Sequence, residues 1–138
     1  MDIRTYINLP VADLARTRAF YAALGFSFDE RWSNENAAAM PIGGTAFAML
    51  LTRGFFSGFI PGRAICPQGA SEALIAIELD SRAAVDAIVA AALQHGGASV
   101  RAPQDLGFMY GHAFADPDGH IWEPFWMDPN AVPQGEMQ

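Results

Sequence analysis

A single carboxylate, Glu123, stands in the run Ile121-Trp122-Glu123-Pro124-Phe125-Trp126-Met127 among large apolar side chains. Strand alternation sets Ile121, Glu123, Phe125 and Met127 on one face and Trp122, Pro124 and Trp126 on the other. If the first face opens into a concave site, desolvation raises the pKa of the carboxylate and suits it to general-base work near neutral pH. The competing reading is a carboxylate that meets solvent or a basic partner at a sheet edge. His112 is the second candidate acid or base. Between the two lies Asp116-Pro117-Asp118-Gly119, in which Pro presets φ and Gly accepts positive φ, as a tight hairpin requires. A loop of two or four residues puts His112 on the face of Glu123; one of three turns it to the opposite face. His120 reads as a solvated turn residue and His95 as a helix C-terminal one, favoured there by the helix dipole. Cys66 lies in Ile-Cys-Pro-Gln-Gly with no neighbouring His in sequence, the setting of an inert thiol more than of a nucleophile.

The elements that must position these groups follow from periodicity. Ile3 to Leu9 alternates and Pro10 ends the ladder. Asp13 caps a helix carrying Leu14, Thr17, Phe20 or Tyr21, and Leu24, which Gly25 closes. Three further strands follow: Phe26 to Trp32, Ala37 to Ile42 and Thr45 to Thr52, the first two separated by the polar turn at 33–36. Ala73 to Leu79 then alternates again, Ser81 caps a helix with Val85, Ile88, Val89, Ala92 and Leu93, and Gly96-Gly97 closes it. Ser99 to Arg101 is a short strand, Pro103 to Gly107 a turn, and Tyr110–Ala115 with Ile121–Met127 the closing hairpin. The same order of elements occurs twice at a spacing near 68 residues. The fold class is α+β: two βαβββ modules whose mixed sheets curl into a cupped half-barrel with the helices outside. Module one spans 3–52 and module two 71–128, with a tail at 129–138, all in one domain of 138 residues. The linker 53–70 carries Phe55, Phe56 and Phe59, which cover either the open side of a cleft or the same surface of a second subunit.

Composition narrows the function classes. A formal charge of −7 and only eight Lys and Arg residues, scattered along the chain, argue against nucleic acid as a partner. No apolar run reaches bilayer length, and the first residues enter a strand pattern without a signal-peptide layout. One cysteine gives neither a disulfide framework nor a zinc cluster, and points to a reducing cytoplasm.

The Leu-Pro-Val-Ala-Asp-Leu turn into Ala-Phe-Tyr-Ala-Ala-Leu-Gly-Phe, and Asp-Pro-Asp-Gly followed four residues after Gly119 by Glu123, resemble the vicinal oxygen chelate superfamily of glyoxalases, extradiol dioxygenases and bleomycin-binding proteins. The ending from Gly107 to Asp128 is similar to a branch labelled predicted lactoylglutathione lyase. The resemblance places metal ligands on the first and last strand of each module, which here fall on Tyr6, Leu50 or a neighbour, Leu74 and Glu123. Only Glu123 is a ligand by chemistry, so no metal and no other cofactor is expected. What the resemblance leaves is a largely apolar small-molecule cup. Tyr6, Asn8, Glu78 and Glu123 are its polar groups, Leu50 and Leu74 stand at the former ligand positions, and Trp32, Phe125 and Tyr110 form its walls.

Three readings follow: a metal-independent enzyme using Glu123 with His112 or Tyr6; a protein that sequesters a drug or metabolite, cationic ligands being favoured by the acidic surface; and a metal-dependent lyase or dioxygenase, disfavoured by the missing ligands. The linker aromatics predict a homodimer.

Overall fold

The computed structural model describes residues 1–131; most of the expected tail at 129–138 lies outside the described residues. Strand β1 (Thr5–Val11) leads into helix α1 (Leu14–Ala23), capped by Asp13, whose side chain accepts the Arg16 N–H. Strands β2 (Ala37–Gly43) and β3 (Ala46–Thr52) follow, and β3 lies between the other two, parallel to β1 and antiparallel to β2. A five-residue helix α2 (Arg53–Ser57) opens the linker. Strand β4 (Leu74–Glu78) and helix α3 (Arg82–Gln94), capped by Ser81, then begin the second module. Its last strand, β9 (Ile121–Met127), pairs parallel with β4, just as β3 pairs with β1. The repeated topology is therefore present: in each module the first and last strands are parallel neighbours.

Several local expectations need correction. The short strand expected at Ser99 to Arg101 is Ala98–Ser99, and the turn expected at Pro103 to Gly107 holds a two-residue strand at Gln104–Asp105. Pro10 does not end β1, which continues to Val11; β1 pairs only with β3, and an edge strand tolerates a residue that cannot donate on its open side. Phe26 to Trp32 is not a strand. Asp29 makes one bridge to Ala39, but its carboxylate accepts the Arg31 N–H and draws Glu30–Trp32 into a 3-10 turn, so the first sheet has three strands. The closing hairpin is also interrupted. β7 (Met109–Gly111) and β8 (Phe114–Ala115) are collinear halves separated at 112–113, opposite Pro124. The His112 N–H donates to the Pro124 carbonyl at 3.0 Å, but Pro124 has no N–H to return. Outermost, β5 (Ala98–Ser99) pairs with β8 and β6 (Gln104–Asp105) with β7.

Helices α1 and α3 pack against the strands in one buried cluster. Ile75 of β4 and Trp122 of β9 meet Phe20 and Tyr21 of α1, Val89 and Ala92 of α3, and Leu9, Val11 and Leu50 of module one in a shared core. Phe114 and Trp122 stack within 2° of parallel, and Tyr21 lies against both Phe20 and Trp122. Close approach at this seam requires a glycine: a Cβ on Gly97 would stand 2.7 Å from the Ala115 carbonyl and 2.8 Å from that of Ala92.

Candidate functional site

The Asp116-Pro-Asp-Gly turn is built from the inside. Asp116 is almost fully buried, and one carboxylate oxygen accepts the N–H groups of Asp118 and His120, both at 2.9 Å. The other accepts the Tyr21 hydroxyl at 2.5 Å, and that hydroxyl accepts Trp122 Nε1–H at 2.9 Å. Gly119, at φ +90°, takes the left-handed position that closes the reversal. Burial raises the Asp116 carboxyl above the usual aspartate range, against the opposing pulls of His120 and of the Tyr21 hydroxyl. Burial first, and Asp116 second, push the Tyr21 hydroxyl well above its ordinary value.

From this anchor the turn reaches into module one. Asp118 accepts the Ala12 N–H at 2.9 Å and lies 3.3 Å from the Arg16 guanidinium and 3.4 Å from the Thr17 hydroxyl. His120, expected to be solvated, is half-buried, and its Nε2 is 2.7 Å from the Pro10 carbonyl, so Nε2 carries the proton.

Asp116 and His120 pair across a loop of three residues, 117–119. That length decides the open question about His112. The register places it against Pro124, whose side chain is buried, and so on the face opposite Glu123; its Nδ1 accepts the Ala113 N–H at 2.8 Å. Glu123 and His112 are not brought together. Glu123 lies opposite Ala76 of β4, and its carboxylate is held by Arg101 at 2.6 Å, with a quarter of its side chain exposed.

The remaining predicted residues divide between the two faces. Tyr6 and Asn8 are exposed on the face of β1 away from the core, with Tyr6 stacked on Phe47 at 4.9 Å. Leu74 is exposed beside Ile121, and Phe125 is half-buried between Glu78 and Gly111. Leu50 is not a wall of the cup: it alternates with half-buried Met49 and is fully buried in the core, while Met49 pairs with Asn8. Tyr110 also points the other way. Its hydroxyl donates to Asp86 of α3 at 2.6 Å, a bond that raises its pKa, and the Arg82 guanidinium lies 5.2 Å from its ring centroid. Trp32 projects from the 3-10 turn with 71% of its surface exposed and encloses nothing.

A half-open concave space lies elsewhere. A cavity of about 690 Å³ is bounded by β1 from Ile7 to Pro10, by the linker, by Ile75, and by the turn from Asp118 to Ile121. Asn8 is the one predicted site residue that lines it. Helical phase explains the linker: Phe56 and Ile60, four residues apart, form a wall, while Phe55 and Phe59 stack edge to face at 5.3 Å and stay exposed. That four-residue spacing is legible in the sequence, and it divides between the two coverings considered for the linker: Phe56 faces the cavity, and Phe55 and Phe59 face outward. Arg63, Cys66, Glu72 and His120 supply the polar side of the cavity, and Arg63 and Glu72 have no ion-pair partner among the described residues.

A metal does not fit the positions that the resemblance assigns. Among the described residues no three His, Cys, Asp or Glu side chains gather as an ion would need. The profile of the Glyoxalase/Bleomycin resistance protein/Dioxygenase superfamily matches residues 4–123. The chain belongs to this superfamily. No curated protein matches the sequence. Among solved structures, a hypothetical protein from S. aureus is 26% identical with a TM-score of 0.76, over 91% of this chain and 92% of that one. A glyoxalase-related enzyme from Fulvimarina pelagi is 19% identical with a TM-score of 0.78, over 91% and 88%. A bleomycin resistance determinant encoded on the transposon Tn5 is 21% identical with a TM-score of 0.61, over 93% and 99%. The last two likenesses speak to the fold, which agrees with the α+β architecture of curled sheets described above. No helix among the described residues is long and apolar enough to cross a membrane.

Proposed function

We propose that this superfamily member binds a small organic molecule in the cavity beneath the linker, and that it acts by holding the ligand, as a sequestering protein does, without the aid of a metal. The observation that carries the reading is the cavity itself. Its volume of about 690 Å³ lies within the range of small-molecule sites, and apolar walls from Ile7, Phe56, Ile60 and Ile75 surround a few polar groups. The acid–base pair read from the sequence lends less support to turnover, because Arg101 holds Glu123 and His112 stands on the opposite face.

The exposed pair Phe55 and Phe59, next to a linker that closes the cavity, supports a homodimer in which a second copy covers that side. The exposed thiol of Cys66 suits a reducing compartment such as the cytoplasm.

The test is capture of small molecules from a cell extract on immobilised protein, with mass spectrometry before and after incubation. Stoichiometric retention of one compound, unchanged on release and equally retained by Glu123→Gln, is the expected result. Recovery of a converted product, lost in Glu123→Gln, would overturn sequestration in favour of catalysis.

A further inference from the structure

We propose that His120 is a ligand-binding residue of this cavity, presenting Nδ1 as a fixed hydrogen-bond acceptor, so that the cavity selects molecules carrying a neutral hydroxyl or amino donor on an apolar body. The inference rests on the cavity being the ligand site and goes beyond it by naming the chemistry that the site reads.

The ring is oriented by one hydrogen bond, and its backbone is held by the turn. Its backbone N–H donates to buried Asp116, its ring Nε2 meets the Pro10 carbonyl at 2.7 Å, and Asp118, two residues earlier, is tied to Ala12. A carbonyl accepts and never donates, so Nε2 holds a hydrogen, and in the neutral imidazole Nδ1 is then the nitrogen with the lone pair. Nδ1 has no partner among the described residues, and none of their buried side-chain nitrogens or oxygens lacks one. Nδ1 is therefore open to solvent, on a residue that lines the cavity. An oriented imidazole with one nitrogen satisfied by the backbone and the other free is the arrangement by which proteins present a defined acceptor.

The neighbouring groups narrow the choice. Asn8 can donate and accept, and Arg63 can only donate. Asn8 Oδ1, the Ser71 hydroxyl, the Glu72 and Asp118 carboxylates and the Nδ1 lone pair can all accept from a ligand's donor. Asp118 is already engaged by Ala12, Arg16 and Thr17, and of the others only the imidazole is held by a side-chain hydrogen bond among the described residues, to Pro10. In apolar surroundings a ligand lacking the donor leaves Nδ1 desolvated and unpaired, which is the source of discrimination.

Phenol and anisole, which share a ring and differ by a donor, are suitable probes. Their affinities are read by NMR titration of wild-type protein, with 15N-labelled histidine to report the tautomer and the Nδ1 resonance. The expected result is that phenol binds roughly 3- to 10-fold tighter than anisole, the worth of one neutral hydrogen bond. The Nδ1 signal of His120 should be of the unprotonated type and should shift with phenol only. Equal binding of the two probes overturns this proposal and leaves the cavity reading standing; so does an Nδ1-protonated tautomer. Binding of neither probe contradicts the cavity reading and the proposal together. His120→Phe, which removes the acceptor, should keep anisole binding and abolish the preference. Should that variant fail to fold, the wild-type titration decides alone.

Discussion

Asp118 and Ala12 are 106 residues apart in the chain, yet the Asp118 carboxylate accepts the Ala12 backbone N–H at 2.9 Å. The hairpin turn of module two thus supplies a partner to the chain entering the first helix of module one, and the same turn forms one wall of the cavity. Asp118→Ala should lower stability by about 1–2 kcal/mol, as loss of a capping carboxylate does, and Asp118→Asn by less, since it keeps an acceptor for Ala12 while losing the charge opposite Arg16. Urea denaturation of the three proteins checks the order.

The Tyr21 hydroxyl, between Asp116 and Trp122, gives a second test. Tyr21→Phe leaves one oxygen of buried Asp116 and the Trp122 indole N–H without a partner and should cost about 1–3 kcal/mol. Calorimetry or urea denaturation measures this directly.

The raised pKa of Asp116 has a definite sign in linkage. Above the ordinary aspartate value, about 3.9, and below its own raised value, the folded protein holds a proton that the unfolded chain has lost. Its contribution to stability is therefore complete at low pH and declines as pH rises through that window. In Asp116→Asn, which does not titrate, the slope of unfolding free energy against pH from about 4 upward should be less negative than in wild type. Equal slopes would contradict the assignment.

Gly97→Ala tests the close packing of the end of α3 against β8 within module two. The new methyl would meet two backbone oxygens at 2.7 and 2.8 Å, neither of them able to swing aside as a side chain would, so a loss of about 1–3 kcal/mol is expected. Thermal unfolding measures it.

The two long helices, α1 and α3, their N-caps and the longer strands were legible from periodicity, because a buried face imposes a period of 3.6 or 2 wherever an element meets the core. Trp122 alternating with Glu123, and Thr17, Phe20 and Tyr21 on one helical stripe, are examples. Phe26 to Trp32 shows where this fails: Asp29 binds Arg31 locally, and side-chain hydrogen bonds within five residues outweigh an alternating pattern that has no neighbour on its far side. The site was less legible for a different reason. Glu123 drew attention as a carboxylate among apolar residues, but its arginine lies 22 positions away and no pattern links them. His120 looked solvated because the carbonyl that orients it belongs to Pro10, 110 residues earlier. The cavity is made from distant segments, and of its lining only Asn8 was picked out in advance as a site residue.

Exposed Phe55 and Phe59 lead to a prediction on assembly. Sedimentation or light scattering should find a dimer, and replacing both with serine should shift it toward monomer with the cavity-lining Phe56 left intact. A wild-type monomer at high micromolar concentration would contradict the dimer.

Ligand is expected beneath the linker and not on the sheet face around Glu123. A crystal structure of the protein with the compound captured from extract is the decisive measurement. The expected density lies between Asn8 and Ile60, with a donor of the ligand within hydrogen-bond distance of His120 Nδ1. A compound lying instead against Glu123, Leu74 and Phe125 would contradict it.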